Sequence, residues 1–160
     1  MSFWYNPNIH PFQEYKARRE TLEAYAPTIG MELIVREEYG LRDFVRAVAD
    51  DIEGRCRHCY RVRLEETARY AAEHGYTSFT STLFVSPYQN HELLRQTAEE
   101  LGRQYGVPFL YRDFRLGFRD GQRQARELGF YMQKYCGCVF SEEDRYEKQI
   151  LRDKKRLQAE

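Results

Sequence analysis

Met31-Glu32-Leu33-Ile34-Val35-Arg36 sets the architecture. Leu33, Ile34 and Val35 are consecutive apolar residues, so the run lacks the alternation of a strand with one wet face. It reads as a short strand covered on both faces, the habit of a parallel sheet. Upstream, Pro27 and Gly30 close a segment from Pro11 in which Phe12, Tyr15, Leu22, Tyr25 and Ala26 recur at helical spacing among charged residues, an amphipathic helix. Before that, Ser2 to Asn6 is an aromatic run halted at Asn6-Pro7-Asn8, a strand entering a turn, because the residue before proline is pushed out of the helical region.

Downstream the alternation continues. Gly40 precedes a second amphipathic segment with Leu41, Phe44, Val45 and Val48, ending near Gly54. A helix then opens around Cys56 and runs to His74-Gly75, where the glycine suits a C-terminal cap. Tyr76 to Val85 reads as a strand closed by Ser86-Pro87. Asn90-His91-Glu92 starts a helix carrying Leu93, Leu94, Ala98, Leu101 and Tyr105, closed by Gly106, and Val107 to Phe114 is a further strand with Pro108 near its start. Strand and helix in turn, joined by short links, predict a single α/β domain: a parallel sheet flanked by helices and built from right-handed crossovers. Sites in such folds lie at the carboxyl ends of strands, which draws Asn6 to His10, Ser81 to His91 and Arg112 to Phe118 toward one edge. After Phe114, Gly117, Gly121, Gly129 and Gly137 punctuate short helical pieces. Ser141 to Glu160, with six acids and six bases, reads as a charged surface helix.

The chain has 160 residues, one domain by length, and its 25 basic and 25 acidic residues cancel, so any polyanion-binding surface must be local. Tyrosine supplies 13 of the aromatic residues, which suit a cleft floor as well as a core edge. The N-terminus lacks a basic start followed by an apolar run, and no stretch of about 18 apolar residues occurs. The expectation is a soluble, cytoplasmic monomer with no membrane contact. There thiols stay reduced, and paired cysteines point to metal or catalysis rather than disulfides.

All four cysteines fall in two tight pairs, Cys56-x-x-Cys59 and Cys136-Gly137-Cys138. The first spans one helical turn and the second folds around a glycine, so each pair can present two sulfurs to one centre. Four thiolates suit an iron–sulfur cluster or zinc. The long gap between the pairs is unlike a zinc ribbon, and a redox dithiol or inert thiols remain alternatives. His10 and His91 stand at predicted strand-to-helix turns, where an imidazole can bind substrate or donate a proton, or simply cap and pack. His74 fits a favourable charge at a helix end, and His58 falls on a different helical face from Cys56 and Cys59. Arg55, Arg57, Arg61 and Arg63 surround the first pair, and Arg112, Arg115, Arg119, Arg123 and Arg126 form a second local excess. They suit phosphate contacts, with Tyr60, Tyr88 and Tyr131 available to stack on an unpaired base; the plainer reading is a solvated basic face.

Taken together, Tyr5-Asn-Pro-Asn-Ile-His-Pro11, Cys56-x-x-Cys-Tyr-x-x-Arg63, Thr80-Ser-Thr-Leu83 with Ser86-Pro-Tyr-Gln89 and His91, Tyr111-Arg-Asp-Phe114, and Tyr131-x-x-Lys-Tyr-Cys-Gly-Cys138 with Phe140-Ser-Glu142 resemble the QueH family of cobalamin-independent epoxyqueuosine reductases. The resemblance covers residues 1–146, leaving 147–160 as a charged C-terminal helix. It implies a three-layer fold like the adenine nucleotide alpha hydrolases (PP-loop-like). It also implies an oxidoreductase that converts epoxyqueuosine to queuosine in tRNA, using a [4Fe–4S] cluster, an adjacent iron and an external electron donor. Cys56, Cys59, Cys136 and Cys138 match the family's metal-binding cysteines. Candidate proton donors are His10, Tyr60, Asp113 and Tyr131, and candidate substrate contacts are Asn6, Asn8, Arg63, Ser81, Tyr88, His91, Arg112, Arg115 and Lys134. The family's chain begins earlier, with a strand ending in vicinal cysteines and a first helix. The expectation is therefore a fragment with a misassigned start, or else a shortened relative holding one centre at most. The reading set against the enzyme is a zinc-stabilised RNA-binding module, or an inactive truncated relative.

Overall fold

Leu33–Val35 forms strand β2 and pairs in parallel with β1, Ser2–Trp4, in the computed structural model, which describes residues 1–159. The register sets Ser2 against Leu33, Phe3 against Ile34 and Trp4 against Val35. Helix α1, Phe12–Tyr25, makes the crossover and ends in a 3-10 turn, Ala26–Ile29. The run Leu33–Val35 is less covered than its apolarity predicts. Every residue of both strands is half-buried, because among the described residues β1 is the only strand beside β2.

Helix α2, Leu41–Val48, stops short of the expected Gly54, because the Asp51 carboxylate accepts from the Gly54 N–H at 2.9 Å and sets a turn. Helix α3 then spans Arg55–Glu73 and α4 spans His91–Tyr105. These two make the main packing contact of the molecule. Tyr60, Leu64, Ala68 and Ala71 form one stripe of α3, Leu94, Ala98 and Leu101 one stripe of α4, and all are buried in a single cluster with Phe44, Phe79, Phe84 and Val107. The Asn90 side chain caps α4 by accepting from the Leu93 N–H at 3.1 Å. At its other end Gly106 adopts φ +69°, a left-handed geometry that lets the Val107 N–H reach the Gly102 carbonyl at 3.0 Å.

The class is α/β, as expected, but the sheet is smaller than expected. Tyr76–Val85 and Val107–Phe114 are not strands; they run parallel and meet at one bridge, Phe79 with Phe109. The Phe79 N–H donates to Pro108 O at 3.1 Å and the Leu110 N–H to Phe79 O at 2.8 Å. Past the bridge, Ser81 Oγ accepts from the Leu83 N–H at 3.2 Å and opens a 3-10 turn, Thr82–Val85. This local bond takes the backbone out of the ladder, and Pro108 has no N–H with which to extend it on the other side.

After Phe114 come a 3-10 turn, Arg115–Gly117, helix α5, Phe118–Glu127, and helix α6, Val139–Ala159, unbroken across 146/147. From Glu147 to Gln158 every residue of α6 is exposed, and Glu160 lies outside the described residues. No helix among the described residues is long and apolar enough to cross a membrane.

Candidate metal centre

Both cysteine pairs stand at helix N-termini, where unpaired N–H groups and the macrodipole favour negative charge. Cys56 and Cys59 lie in the first turns of α3; Cys136 and Cys138 lie in the loop entering α6. All four are free, with Cys59 and Cys138 buried and Cys56 and Cys136 at the exposed rim. Cys138 acts as the cap of α6: its carbonyl accepts from the Ser141 and Glu142 N–H groups at 3.0 and 3.2 Å, and its Sγ accepts from the Ser141 N–H at 3.4 Å. Arg55, which directly precedes Cys56 at the start of α3, pairs with Asp144 of α6.

The four sulfurs share one electrostatic environment. Burial pushes the Cys59 thiol up to about 12, opposed by Arg63, and the charges of Cys136, Cys138 and Cys56 raise it further. Partial desolvation raises Cys56 at the rim, and Cys136 and Cys138 add to it. Cys56 and Cys59 thus lie within reach of the charges of Cys136 and Cys138, which come from a distant part of the chain. Among the described residues no three His, Cys, Asp or Glu side chains converge as the ligands of a single ion.

The Cys136–Cys138 loop is held by the turn before α1 and by α1 itself. The His10 N–H donates to Gly137 O at 2.8 Å, and Tyr135 Oη donates to His10 O at 2.5 Å. Gly137 takes φ +159°, and a Cβ there would meet Ile9 Cγ1 at 3.2 Å, so the turn closes tightly on glycine. Arg18 donates to the carbonyls of Cys136 and Tyr135 at 2.8 and 2.9 Å, while its Nε donates to Glu14 Oε1 at 2.7 Å. The second Glu14 oxygen accepts from Tyr131 Oη, which raises the Tyr131 pKa.

A second arm reaches the rim from α3. Tyr60 Oη donates to Gln89 Oε1 at 2.8 Å and accepts from the Asn90 N–H at 3.0 Å, and Gln89 Nε2 donates to Cys136 Sγ at 3.3 Å. Burial raises the Tyr60 pKa, the Asn90 N–H opposes that, and the charges of Cys56, Cys59 and Cys136 add to it.

The other sequence candidates divide by surroundings. His10 is 1% exposed, with Nε2–H donating to Pro7 O at 3.2 Å and Nδ1 accepting from the Val139 N–H at 3.4 Å, and burial lowers its pKa. Asn6 and Asn8 are buried beside it, and Asn8 Oδ1 has no partner among the described residues. Arg63 is half-buried near Cys59. Ser81 caps the 3-10 turn, and His91 donates through Nε2 to Ser86 O at 3.0 Å while its buried Nδ1 has no partner among the described residues. Asp113 is bound to Arg115, whose guanidinium holds its carboxyl at about 2. Tyr88 is 83% exposed, with its ring set edge-on to Phe118. Arg112 and Lys134 are exposed and remain away from the cysteines' hydrogen-bond network.

Sequence reasoning missed Glu14, Arg18, Tyr135 and the role of Gln89. Glu14 and Arg18 form an i,i+4 pair like Lys16 and Glu20 on the same helix, and only their burial sets them apart. Gln89 was in view within Ser86-Pro-Tyr-Gln89, but nothing in the motif ties it to Cys136.

The family model described as epoxyqueuosine reductase QueH matches residues 1–144. The epoxyqueuosine reductase QueH of Dehalococcoides mccartyi is 43% identical over 146 residues, covering 91% of this chain and 80% of its own. That of Thermotoga maritima is 39% identical over 164 residues, covering 96% and 85%, and that of Haemophilus influenzae is 32% identical over 150 residues, covering 89% and 61%.

Proposed function

The chain belongs to the epoxyqueuosine reductase QueH family, and from that premise we propose that it is an oxidoreductase reducing epoxyqueuosine to queuosine in tRNA. The observation that supports this most is the gathering of Cys56, Cys59, Cys136 and Cys138 at two helix N-termini, with the second pair raising the thiol pKa of the first. These four would hold a [4Fe–4S] cluster. The long separation of the two pairs in sequence, unlike that of a zinc ribbon, supports a cluster over one zinc. When bound, the cluster would pass two electrons, one at a time, from an external donor, and a further iron would supply the Lewis acidity that removing an epoxide oxygen requires.

The remaining work falls to side chains. Of the four candidate proton donors, Tyr60 is the one whose ionisation the cysteines disfavour, which sets it beside the centre with its proton retained. An oxygen released from an epoxide is more basic than a phenolate, so the Tyr60 hydroxyl can protonate it once Gln89 gives up its hydrogen bond. His10 has both ring nitrogens engaged and positions the Cys136–Cys138 loop, and Asp113 carries no proton at neutral pH. Arg63 and the exposed Tyr88 stand where a nucleotide's phosphate and base can be bound.

Anaerobic expression followed by iron and sulfide analysis tests the reading. The expected result is four sulfides with four irons, or five where the further iron is also bound, and broad visible charge-transfer absorbance, lost in Cys136→Ala and Cys138→Ala. One zinc per chain with no iron would overturn it. Tyr60→Phe should keep its iron and lose turnover of an epoxyqueuosine-containing anticodon stem-loop.

A further inference from the structure

Helix α6 carries its charges in separate blocks. Glu142, Glu143 and Asp144 lie in its first turns, whereas residues 145–158 hold six bases, Arg145, Lys148, Arg152, Lys154, Lys155 and Arg156, against two acids, Glu147 and Asp153. The helix macrodipole accounts for acids at the start and bases in the last turn. It does not account for how the bases are arranged around the axis.

At 3.6 residues per turn, Arg145, Lys148, Arg152, Lys155 and Arg156 fall within an arc of about 100°, while Glu147, Asp153 and Lys154 lie outside it. All five are exposed, and none has a carboxylate within salt-bridge distance among the described residues, whereas the ion pair of α6 is Asp144 with Arg55. Asp144 is one turn before Lys148 on the same line, and its partner Arg55 directly precedes Cys56 in α3. The basic arc therefore begins beside the cysteines and runs about 9 to 25 Å along the axis from Val139, at 1.5 Å per residue. The family model matches residues 1–144, and this arc follows the matched residues.

We propose that the basic arc of α6 is an RNA-docking rail that contacts the phosphate backbone of the substrate tRNA outside the modified nucleotide. This rests on the reading of the chain as a tRNA-modifying reductase. Exposed cations at one- and two-turn spacing match a polyanion that extends away from the reactive base, and such contacts carry affinity without sequence preference. The chain as a whole is neutral, so the arc sets the polarity of the approach locally.

The test measures tRNA affinity against salt for the full iron-loaded chain and for Lys148→Gln/Arg152→Gln/Lys155→Gln, with Lys154→Gln as a control on the opposite side of the helix. The triple variant should bind modified and unmodified tRNA about 10- to 100-fold more weakly at 0.15 M salt, with a salt slope shallower by about two to three. Its turnover at saturating tRNA and its helicity should match the wild type, and Lys154→Gln should differ little from it. Unchanged affinity and slope in the triple variant, with tight wild-type binding, overturn the rail and leave the reductase reading intact. A wild-type chain that does not bind tRNA overturns both. Loss of binding to anionic phospholipid vesicles in the triple variant, with tRNA affinity unchanged, reassigns the arc to a membrane surface and overturns the proposal.

Discussion

Replacing Arg18 by Ala removes the clamp that ties α1 to the cysteine loop. The guanidinium makes three contacts: two to the carbonyls of Cys136 and Tyr135 at 2.8 and 2.9 Å, and one to Glu14 at 2.7 Å. Arg18 and Glu14 side chains are 10% and 7% exposed, so water screens them little and cannot replace the lost donors without entering. With Arg18 gone, the Glu14 carboxylate keeps only the Tyr131 hydroxyl among its described partners. A single surface ion pair is worth well under 1 kcal/mol, but removing one partner of a buried pair costs about 3–5 kcal/mol, because the remaining charge is left in an apolar site. Arg18→Ala should therefore destabilise by about 3–5 kcal/mol, or roughly 6–20 °C in Tm at about 2–4 °C per kcal/mol for a domain of this size.

Urea unfolding followed by circular dichroism measures this, and a cycle with Glu14→Gln isolates its cause. The double variant removes the stranded carboxylate and should be less destabilised than the sum of the single changes by about 1–3 kcal/mol. Arg18→Lys keeps the charge but loses the fork, and should fall between wild type and Ala. Additive effects, or an Arg18→Ala variant within about 0.5 kcal/mol of wild type, would refute the clamp.

Gly102 lies against the chain that follows α4, where an added Cβ would sit 2.9 Å from Val107 O and 3.2 Å from Phe109 N. Backbone cannot yield as a flexible side chain can, so Gly102→Ala should cost about 1–3 kcal/mol by the same unfolding measurement, despite alanine's better helix propensity. Leu101→Ala, at a fully buried position of the α3–α4 core, should cost about 2–5 kcal/mol. The His10 prediction concerns pH. Burial lowers its folded-state pKa, so the unfolded chain binds more protons. Its contribution is complete above the unfolded value of about 6.5 and is lost as pH falls from there toward the folded value. Urea midpoints between pH 8 and pH 5 should drop on the acid side in wild type and drop less in His10→Gln.

The helices were legible because their signals are local. Leu94, Ala98 and Leu101 recur at one helical face, Asn90 and Gly106 bound the segment, and the structure places α4 at His91–Tyr105. The strands at Tyr76 and Val107 misled because threonine, phenylalanine and valine favour a strand only where a neighbour pairs with it. Ser81 offers the backbone a nearer partner than any strand does, and the segment becomes a turn. Propensity was outvoted by a single hydroxyl.

The cysteine pairs were visible as candidate ligands because thiol spacing is a chemical signal written in the sequence. What holds them was not, since that depends on which charges are buried. Glu14 and Arg18 look like a solvated pair until α1 presses them against Cys136, and then each solves a problem the other creates. The carboxylate satisfies the guanidinium, the guanidinium ties down two loop carbonyls, and Tyr131 fills the remaining carboxylate oxygen. With Gln89 bonded to Cys136 from the α3–α4 side, the rim sulfur is fixed from two directions. A loop held in this way can keep two thiols in place without a regular ladder beneath it. Two helix N-termini and one buried ion pair thus supply the rigidity that holds the cysteine loop.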